Sequence, residues 1–175
     1  MSLGAKGYTF IELTVVIFLI GLTLVLTVPR FRYAMLTDDL KTTVRQMVGT
    51  IRSLRNEAVR RHMVHTLHFD LELNRFWTES ADMTDEGRAL AYERAFRLPQ
   101  RVRILDLWSK ERGKEVDGKA TIHFNRKGYI EQSAIHLAAE DGREFTLELS
   151  PFLGKVKVFE KYVEFETSAA ANLAY

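Results

Sequence analysis

The chain has 175 residues, enough for one ordinary domain and an additional N-terminal segment. Hydrophobic residues make up 46% and charged residues 27% of the sequence, which allows a buried core and argues against a disordered chain. The formal net charge of +2 does not require an acidic partner, and the lack of cysteine excludes disulfides and thiolate chemistry.

The first predicted element is a membrane-spanning helix over residues 10–28. Its sequence is FIELTVVIFLIGLTLVLTV, in which Glu12 is the single charged residue. A helix needs about 20 apolar residues to cross the hydrocarbon core of a bilayer, and this segment reaches that length. A core helix of a soluble domain would carry a polar face, and this segment has none after Glu12. The pattern therefore favours a membrane span.

The residues before the apolar segment are typical of a short leader. A conventional secretory signal has its small-residue cleavage site after the apolar stretch, whereas the glycine-containing step here, residues 4–7, lies before it. Cutting there leaves the hydrophobic segment on the mature protein; a plain uncleaved anchor is the alternative. Charge alone leaves the orientation in the membrane open. Lys6 favours a cytoplasmic N-terminus, whereas Arg30 and Arg32 at the other end of the segment favour the opposite orientation. The shortness of the leader favours a cytoplasmic N-terminus.

Glu12 is an ionisable residue inside this apolar helix. Such a residue costs about 2.5–3.5 kcal/mol on membrane-insertion scales and usually has a functional partner. One explanation is that Glu12 lies close enough to the interface to stay hydrated. Another follows from a cut after Gly7, because the new amino terminus at Tyr8 is a cation that Glu12 of a neighbouring subunit could neutralise.

Residues 6–13, KGYTFIEL, together with the apolar run that follows, resemble the processing site of type IV pilins and type II secretion pseudopilins. The resemblance implies that prepilin peptidase cuts after Gly7 and N-methylates Tyr8, where the family usually has phenylalanine. It implies that Glu12, the fifth mature residue, is the glutamate that the family uses in assembly. It also implies that Pro29 is the helix-bending proline that many pilins carry at the twenty-second mature position.

Residues 30–61 are predicted to continue the helix as an amphipathic half that ends near Arg61. Pro29 removes one backbone donor, so we expect it to kink the helix and not to end it. Apolar residues recur at steps of three and four and form one stripe: Leu40, Val44, Met47, Ile51, Leu54 and Ala58. Basic residues recur away from the stripe, and we interpret them as a solvated face, with nucleic acid or anionic lipid binding as the less favoured alternative. These residues are Lys41, Arg45, Arg52, Arg55, Arg60 and Arg61.

From residue 62 the hydrophobic period changes to two, which predicts a β-rich head over residues 62–167, followed by a loose tail over residues 168–175. Residues 80–88 and 109–119 are predicted as loops from their polarity and glycines. A long helix followed by closely spaced antiparallel strands indicates an α+β fold with the helix packed on one face of an antiparallel sheet. The predicted strands cover residues 64–69, 75–78, 102–108, 120–124, 133–139, 144–150 and 155–165, the last broken near Lys161.

The second half of the chain resembles the minor pseudopilin H family (GspH/FimT-like). The resemblance rests on a helix end, residues 53–58, that leads directly into a strand, and on a strand and turn series in residues 122–128, 135–137 and 154–156. It implies a pilin-like fold and a minor subunit near the filament tip. The resulting division of the chain is leader 1–7, transmembrane half 8–29, amphipathic half 30–61, head 62–167 and tail 168–175.

Together the two resemblances imply a minor pseudopilin of a type II secretion system, at or near the tip of the periplasmic pseudopilus. The implied location is the bacterial inner membrane, crossed once, with the C-terminal head in the periplasm. The implied partners are other minor and major pseudopilins, prepilin peptidase, the inner-membrane assembly platform and secreted cargo.

Two other functions are weighed against this one. A minor type IV pilin could prime pilus assembly or bind DNA for uptake, but the many acidic residues of the head disfavour nucleic acid. A generic single-span module without a filament role is the third hypothesis. The basic patch that DNA uptake would use comprises Arg126, Lys127, Arg143, Lys155 and Lys157.

The sequence contains no signature of catalysis, and we expect no enzyme activity, cofactor or metal. Phosphate loops, dinucleotide glycine patterns and nucleophile elbows are absent from it. His62, His65 and His68 invite a metal hypothesis, but a strand places residues three apart on opposite faces, so one ion could not bind all three. Four further residues are interpreted as ordinary components of the head: His123, His136, Trp77 and Trp108.

Overall fold

The computed structural model describes residues 10–151 and 155–166; within the first helix the side chains of residues 24–38 are not described. The predicted leader, residues 1–7, and the tail, residues 168–175, therefore lie outside the described residues. The chain divides into two compact units, Met1–Thr37 and Asp38–Tyr175.

Helix α1 runs Phe10–Arg61. Pro29 lies within it, so the proline does not end the helix. The predicted kink at Pro29 falls where side chains are not described, and it stays a prediction. The C-terminal end of α1 at Arg61 agrees with the end expected from the sequence.

Residues 62–151 and 155–166 contain one short helix and nine strands, and all of their strand pairs are antiparallel. The predicted α+β class is confirmed. The elements in chain order are β1 His65–Asp70, β2 Arg75–Ser80, α2 Asp85–Glu93, β3 Phe96–Arg97, β4 Val102–Ser109, β5 Gly113–Glu115, β6 Lys119–Phe124, β7 Ser133–Ala139, β8 Glu144–Leu149 and β9 Val156–Phe159.

The strands form two sheets, so the prediction of one sheet is wrong. Sheet 1 has the order β3-β2-β1-β6 and sheet 2 the order β5-β4-β7-β8-β9. The reason is that β6 pairs with β1, far back in the chain, whereas its neighbours in sequence, β5 and β7, both belong to sheet 2. Periodicity shows where strands are, but it carries no information on which distant strands pair.

The second half of α1 supplies one wall of the core. Leu40, Met47 and Ile51 are completely buried, and the other three residues of the predicted stripe are at most 7% exposed. The stripe packs in a single cluster with the inward side chains of both sheets. The predicted stripe is therefore confirmed, as is the packing of Trp77 and Trp108 inside the head, at 7% and 5% exposure.

Helix α2 lies partly in the segment predicted as a loop over residues 80–88, so that prediction is wrong from residue 85 onward. The Thr84 side chain caps the helix by accepting a hydrogen bond from the Gly87 amide. Asp85 and Glu86 occupy the first turn, where acidic side chains stabilise a helix. Gly87 suggested a turn in the sequence, and the cap outweighs its low helix propensity.

Two further boundaries differ from the predictions. The predicted loop over residues 109–119 contains the short strand β5, which pairs with the end of β4. The last strand, predicted over residues 155–165, ends at Phe159. Beyond it, the Thr146 side chain of β8 bonds to the backbone of residues 161 and 163, so a side chain takes the place of a neighbouring strand there.

Candidate functional site

The start of α1, residues 10–23, exposes its apolar side chains on every side. Val16, Ile17 and Phe18 point in directions about 100° apart around the helix axis. They are 44%, 62% and 68% exposed, and Phe10 is 87% exposed. An apolar surface of this extent marks contact with a membrane or with another protein.

The polar groups of this segment are compatible with apolar surroundings. The Thr14 hydroxyl donates to the Phe10 carbonyl at 2.9 Å, and the Thr23 hydroxyl donates to the Leu19 carbonyl at 2.7 Å. Because both bonds stay within the helix, neither hydroxyl needs water. Glu12 is the single ionisable residue of residues 10–23, and it stands exposed in the first turn, where the helix dipole favours a carboxylate.

The predicted processing residues Gly7 and Tyr8 lie outside the described residues. Of the predicted site, the structure describes Glu12 and the backbone at Pro29. These two residues lie 17 positions apart on α1 and do not form one site. The predicted span includes residues 24–28, whose side chains lie outside those described.

Among the helical residues described together with their side chains, no stretch has the length and apolar character needed to cross a membrane.

The five basic residues of the predicted DNA-binding patch do not form one surface. Arg143 directly precedes β8 and Lys155 directly precedes β9, so they lie at opposite ends of β8, about 20 Å apart. Arg143 is also 2.6 Å from the Asp141 carboxylate, and Lys157 is 3.8 Å from Glu148. This dispersed and partly neutralised arrangement lacks the concentrated positive charge that binding to a phosphate backbone requires.

The histidines near β1 lie on different sides of the chain. His65 is 5% exposed, on the core side of sheet 1, while His68 stacks on Trp77 on the other face, with ring centroids 5.1 Å apart. The predicted alternation is therefore confirmed. Burial lowers the pKa of His68, and the Glu79 carboxylate only partly opposes that shift. Among residues 10–151 and 155–166, no three metal-ligand side chains are grouped so as to hold an ion.

The outer face of sheet 2 carries a polar cluster built from four elements. His136 of β7 has Nδ1 2.6 Å from Oδ1 of Asp106 in β4, and Nε2 2.9 Å from the carbonyl oxygen of Val163. The Tyr162 hydroxyl donates to Oδ2 of Asp106 at 3.1 Å and accepts from Nζ of Lys114 in β5 at 2.6 Å. The Tyr162 ring also stacks on His136, with centroids 4.1 Å apart.

The groups around His136 have fixed charges. Burial alone would raise the pKa of Asp106, but its hydrogen bond to His136 and the nearby positive charges outweigh burial and hold the pKa below its usual value. The hydrogen bond to Tyr162 raises the pKa of Lys114, and burial raises the pKa of Tyr162. At neutral pH the cluster therefore contains a carboxylate, an ammonium and a neutral phenol.

This cluster was missed by sequence reasoning, which treated His136 as a single strand histidine. A signal was present, because Asp106 and His136 each interrupt an apolar run of a predicted strand, and a polar side chain that such a strand buries requires a partner. Both ring nitrogens of His136 are taken up, one by Asp106 and one by the backbone of residue 163. The arrangement therefore holds residues 162 and 163 against sheet 2 and leaves neither ring nitrogen of His136 open to a substrate.

No protein-family model matches this sequence, and comparison with curated proteins also gives no match. Comparison with solved structures finds two structures of the minor pseudopilin EpsH from the type II secretion system of Vibrio cholerae. One has a TM-score of 0.53 and 9% identity, and the alignment covers 73% of this chain and 98% of that chain. The other has a TM-score of 0.55 and 9% identity, covering 73% and 100%. The chain is thus similar in fold to a minor pseudopilin, which confirms the resemblance at the level of the fold.

Proposed function

We propose that this protein is a minor pseudopilin, a filament subunit of a type II secretion system that α1 anchors in the bacterial inner membrane, with its head in the periplasm. The observation that carries the proposal is the start of α1, whose apolar side chains are exposed all round. Such a surface is stable in lipid or against other apolar helices. The likeness of the fold to EpsH supports the same function.

The proposed maturation begins at the leader. Prepilin peptidase removes residues 1–7 by cutting after Gly7 and methylates the new amino terminus at Tyr8. The apolar segment then remains on the mature protein, where it holds the subunit in the membrane until assembly. During assembly the same surface exchanges lipid for the helices of neighbouring subunits.

Glu12 gives the proposed assembly step its specificity. A carboxylate transferred from water into an apolar helix bundle is costly unless a cation meets it. The amino terminus of Tyr8 on the neighbouring subunit supplies such a cation. One Glu12–Tyr8 pair would then form at each subunit contact and fix the axial register of the helices.

The proposed partners are other minor and major pseudopilins, prepilin peptidase, the inner-membrane assembly platform and the secreted cargo. The proposed position is at or near the filament tip. DNA uptake is not proposed, because the basic residues that it would use are dispersed.

Processing is tested by co-expressing the full chain with prepilin peptidase and measuring the intact mass. We expect the mass to fall by the seven-residue leader and to rise by one methyl group. Gly7→Leu should block the cut, because the bulky side chain replaces the hydrogen at the scissile residue. The matched control is Gly4→Leu, which places the same side chain elsewhere in the leader and should leave cleavage intact. A chain that keeps its leader in the presence of the peptidase would contradict the proposal.

The secretion role is tested by deleting the gene in its native bacterium. We expect export of type II substrates to be lost and to return when the parent chain is supplied, whereas the Gly7→Leu chain should not restore it. Loss of surface pili with normal secretion would instead identify a type IV pilus subunit.

A further inference from the structure

The last turns of α1 and the turn between β6 and β7 together form a basic surface. Arg55 donates from Nε to the carbonyl oxygen of Gly128 at 3.3 Å, which joins the helix to the turn. Arg126 and Lys127 directly precede Gly128 and are exposed. Arg52 is also exposed and lies one helical turn before Arg55, about 60° away around the helix axis. The four side chains of Arg52, Arg55, Arg126 and Lys127 are called the basic patch.

No carboxylate neutralises the basic patch within residues 10–151 and 155–166. Arg52, Arg126 and Lys127 make no ion pair there, and Arg55 bonds to a backbone carbonyl. Glu57, the acidic residue that follows in α1, pairs with two other arginines. The patch thus carries more positive charge than the whole chain, whose formal net charge is +2. Its neutralising charge comes from solvent ions or from a binding partner.

The surroundings of the basic patch favour a protein as that partner. Val59 and Tyr129 adjoin the patch and are 42% and 45% exposed. Val59 lies against the turn, since a Cβ on Gly128 would be 2.7 Å from its Cγ2 atom. Arginine and tyrosine are enriched at protein interfaces. A phosphate backbone is recognised through cations, whereas a protein surface that carries carboxylates can also bury the valine and the tyrosine.

The turn is held in shape by its own hydrogen bonds. Oδ1 of Asn125 accepts from the amides of Lys127 and Tyr129, at 2.9 and 3.0 Å. Together with the bond from Arg55 to Gly128, these contacts fix the backbone that carries the exposed cations. A partner would therefore bind without the entropy cost of ordering a loop.

We propose that the basic patch is a docking surface for a carboxylate-rich surface of another protein. Aspartate and glutamate side chains of the partner pair with the four cations, and Val59 and Tyr129 are buried beside them. Exposed ion pairs are individually weak and are screened by salt, so the patch acts mainly by selecting and orienting the partner. The inference does not rest on the proposed function, because an anchored module outside a filament could use the same surface.

Binding is measured with the full chain in detergent micelles, and the probe is a fluorescent peptide of alternating glutamate and tyrosine residues. We expect binding that weakens as salt is added. Combining Arg126→Glu with Lys127→Glu should lower the affinity about tenfold, because attraction is replaced by repulsion. The matched control combines Arg97→Glu with Lys110→Glu, the same change of charge at two exposed residues outside the patch. Equal losses in the two double variants, or no binding by the parent chain, would overturn the proposal.

A second probe separates a protein partner from a nucleic acid. Single-stranded DNA with the same charge as the peptide should bind more weakly than the peptide, because it lacks the residues that cover Val59 and Tyr129. DNA that binds more tightly than the peptide, and loses affinity in the patch variant, would overturn the proposal and identify a nucleic acid site.

Photo-crosslinking in the native bacterium tests the chemistry of the partner. A photoreactive amino acid in place of Tyr129 should give an adduct with a protein segment rich in aspartate and glutamate, whereas the same group at Val116, which is 57% exposed, should not. The adduct should disappear in the Arg126→Glu chain and return when a facing carboxylate of the partner is changed to lysine. No adduct, or an adduct that forms equally in the Arg126→Glu chain, would overturn the proposal.

Discussion

Two stretches of helix α1 share a helical backbone but have opposite surroundings. In residues 39–61 one apolar stripe is buried, and Ile51 is completely inaccessible. In residues 10–23 the apolar side chains cover the whole circumference, and Ile17 is 62% exposed. The head buries the second stretch by itself. The first stretch has no such cover among the described residues, and the proposed function assigns that cover to the membrane or to neighbouring subunits.

The exposed apolar surface of residues 10–22 is large in energetic terms. Ten large apolar side chains between residues 10 and 22 are exposed. Burying one such side chain fully contributes about 1.5–3 kcal/mol, so together they leave on the order of 10 kcal/mol or more unrealised. That sum is comparable to the entire stability of a typical domain, about 5–15 kcal/mol. Membrane insertion or helix packing would recover it.

The largest expected effect comes from placing one charge in each stretch. Ile51→Asp puts an unpaired carboxylate among fully buried residues, and we expect it to reduce the free energy of unfolding of the head by about 3–5 kcal/mol or to prevent folding. Ile17→Asp should leave the unfolding of the head unchanged, because Ile17 is exposed. Denaturant titration followed by the fluorescence of Trp77 and Trp108 measures both. Equal losses of unfolding free energy in the two variants would contradict the distinction between a buried and an exposed stretch.

A second test concerns the turn that packs against the second stretch. Gly128 has φ +77°, and a Cβ there would lie 2.7 Å from Cγ2 of Val59 on α1. Gly128→Ala should therefore combine backbone strain with a steric clash and destabilise the head by about 2–4 kcal/mol.

The matched control for that test is Gly142→Ala. Gly142 has φ +85°, but a Cβ there meets no atom within 4 Å. Only the backbone strain of about 1–2 kcal/mol should remain. Adding Val59→Ala to Gly128→Ala should recover the difference between the two glycine variants. If the double variant is no more stable than Gly128→Ala, the added Cβ does not clash with Val59 and the account of this turn is wrong.

The smallest effect distinguishes two threonines that make the same hydrogen bond. Thr43 donates to the Asp39 carbonyl at 2.8 Å and is 1% exposed, while Thr14 donates to the Phe10 carbonyl at 2.9 Å and is exposed. Substitution by serine keeps the hydroxyl and removes one methyl group. Thr43→Ser should lower the melting temperature of the head by the equivalent of about 1 kcal/mol, and Thr14→Ser should not shift it. The reverse order would contradict the burial pattern.

The sequence was sufficient wherever structure depends on local periodicity. The stripe from Leu40 to Ala58 has the period of a helix, and all of its members are buried. Most predicted strands were also found near their expected positions, because alternation of apolar and polar side chains is a local property. Glu12 became the candidate assembly residue because a charge inside an apolar run contrasts with its immediate neighbours, and its role stays a prediction.

What the sequence could not provide depends on distant contacts. Asp106 and His136 lie 30 residues apart and meet only because β4 pairs with β7. The division into two sheets has the same origin, as does the path of residues 161–163, which the Thr146 side chain fixes. Helix α2 was missed for a local reason, because Gly87 obscured the capping signal of Thr84.

The central claim is that Glu12 meets the amino terminus of a neighbouring subunit, and assembly of a Glu12→Leu chain tests it most directly. Incorporation into pseudopili is measured in the native bacterium, with Thr14→Leu as the matched polar-to-apolar change in the same segment. We predict that the Glu12→Leu chain is cleaved and inserted but largely absent from filaments, while the Thr14→Leu chain assembles like the parent. Incorporation of the Glu12→Leu chain at the parental level would contradict the account.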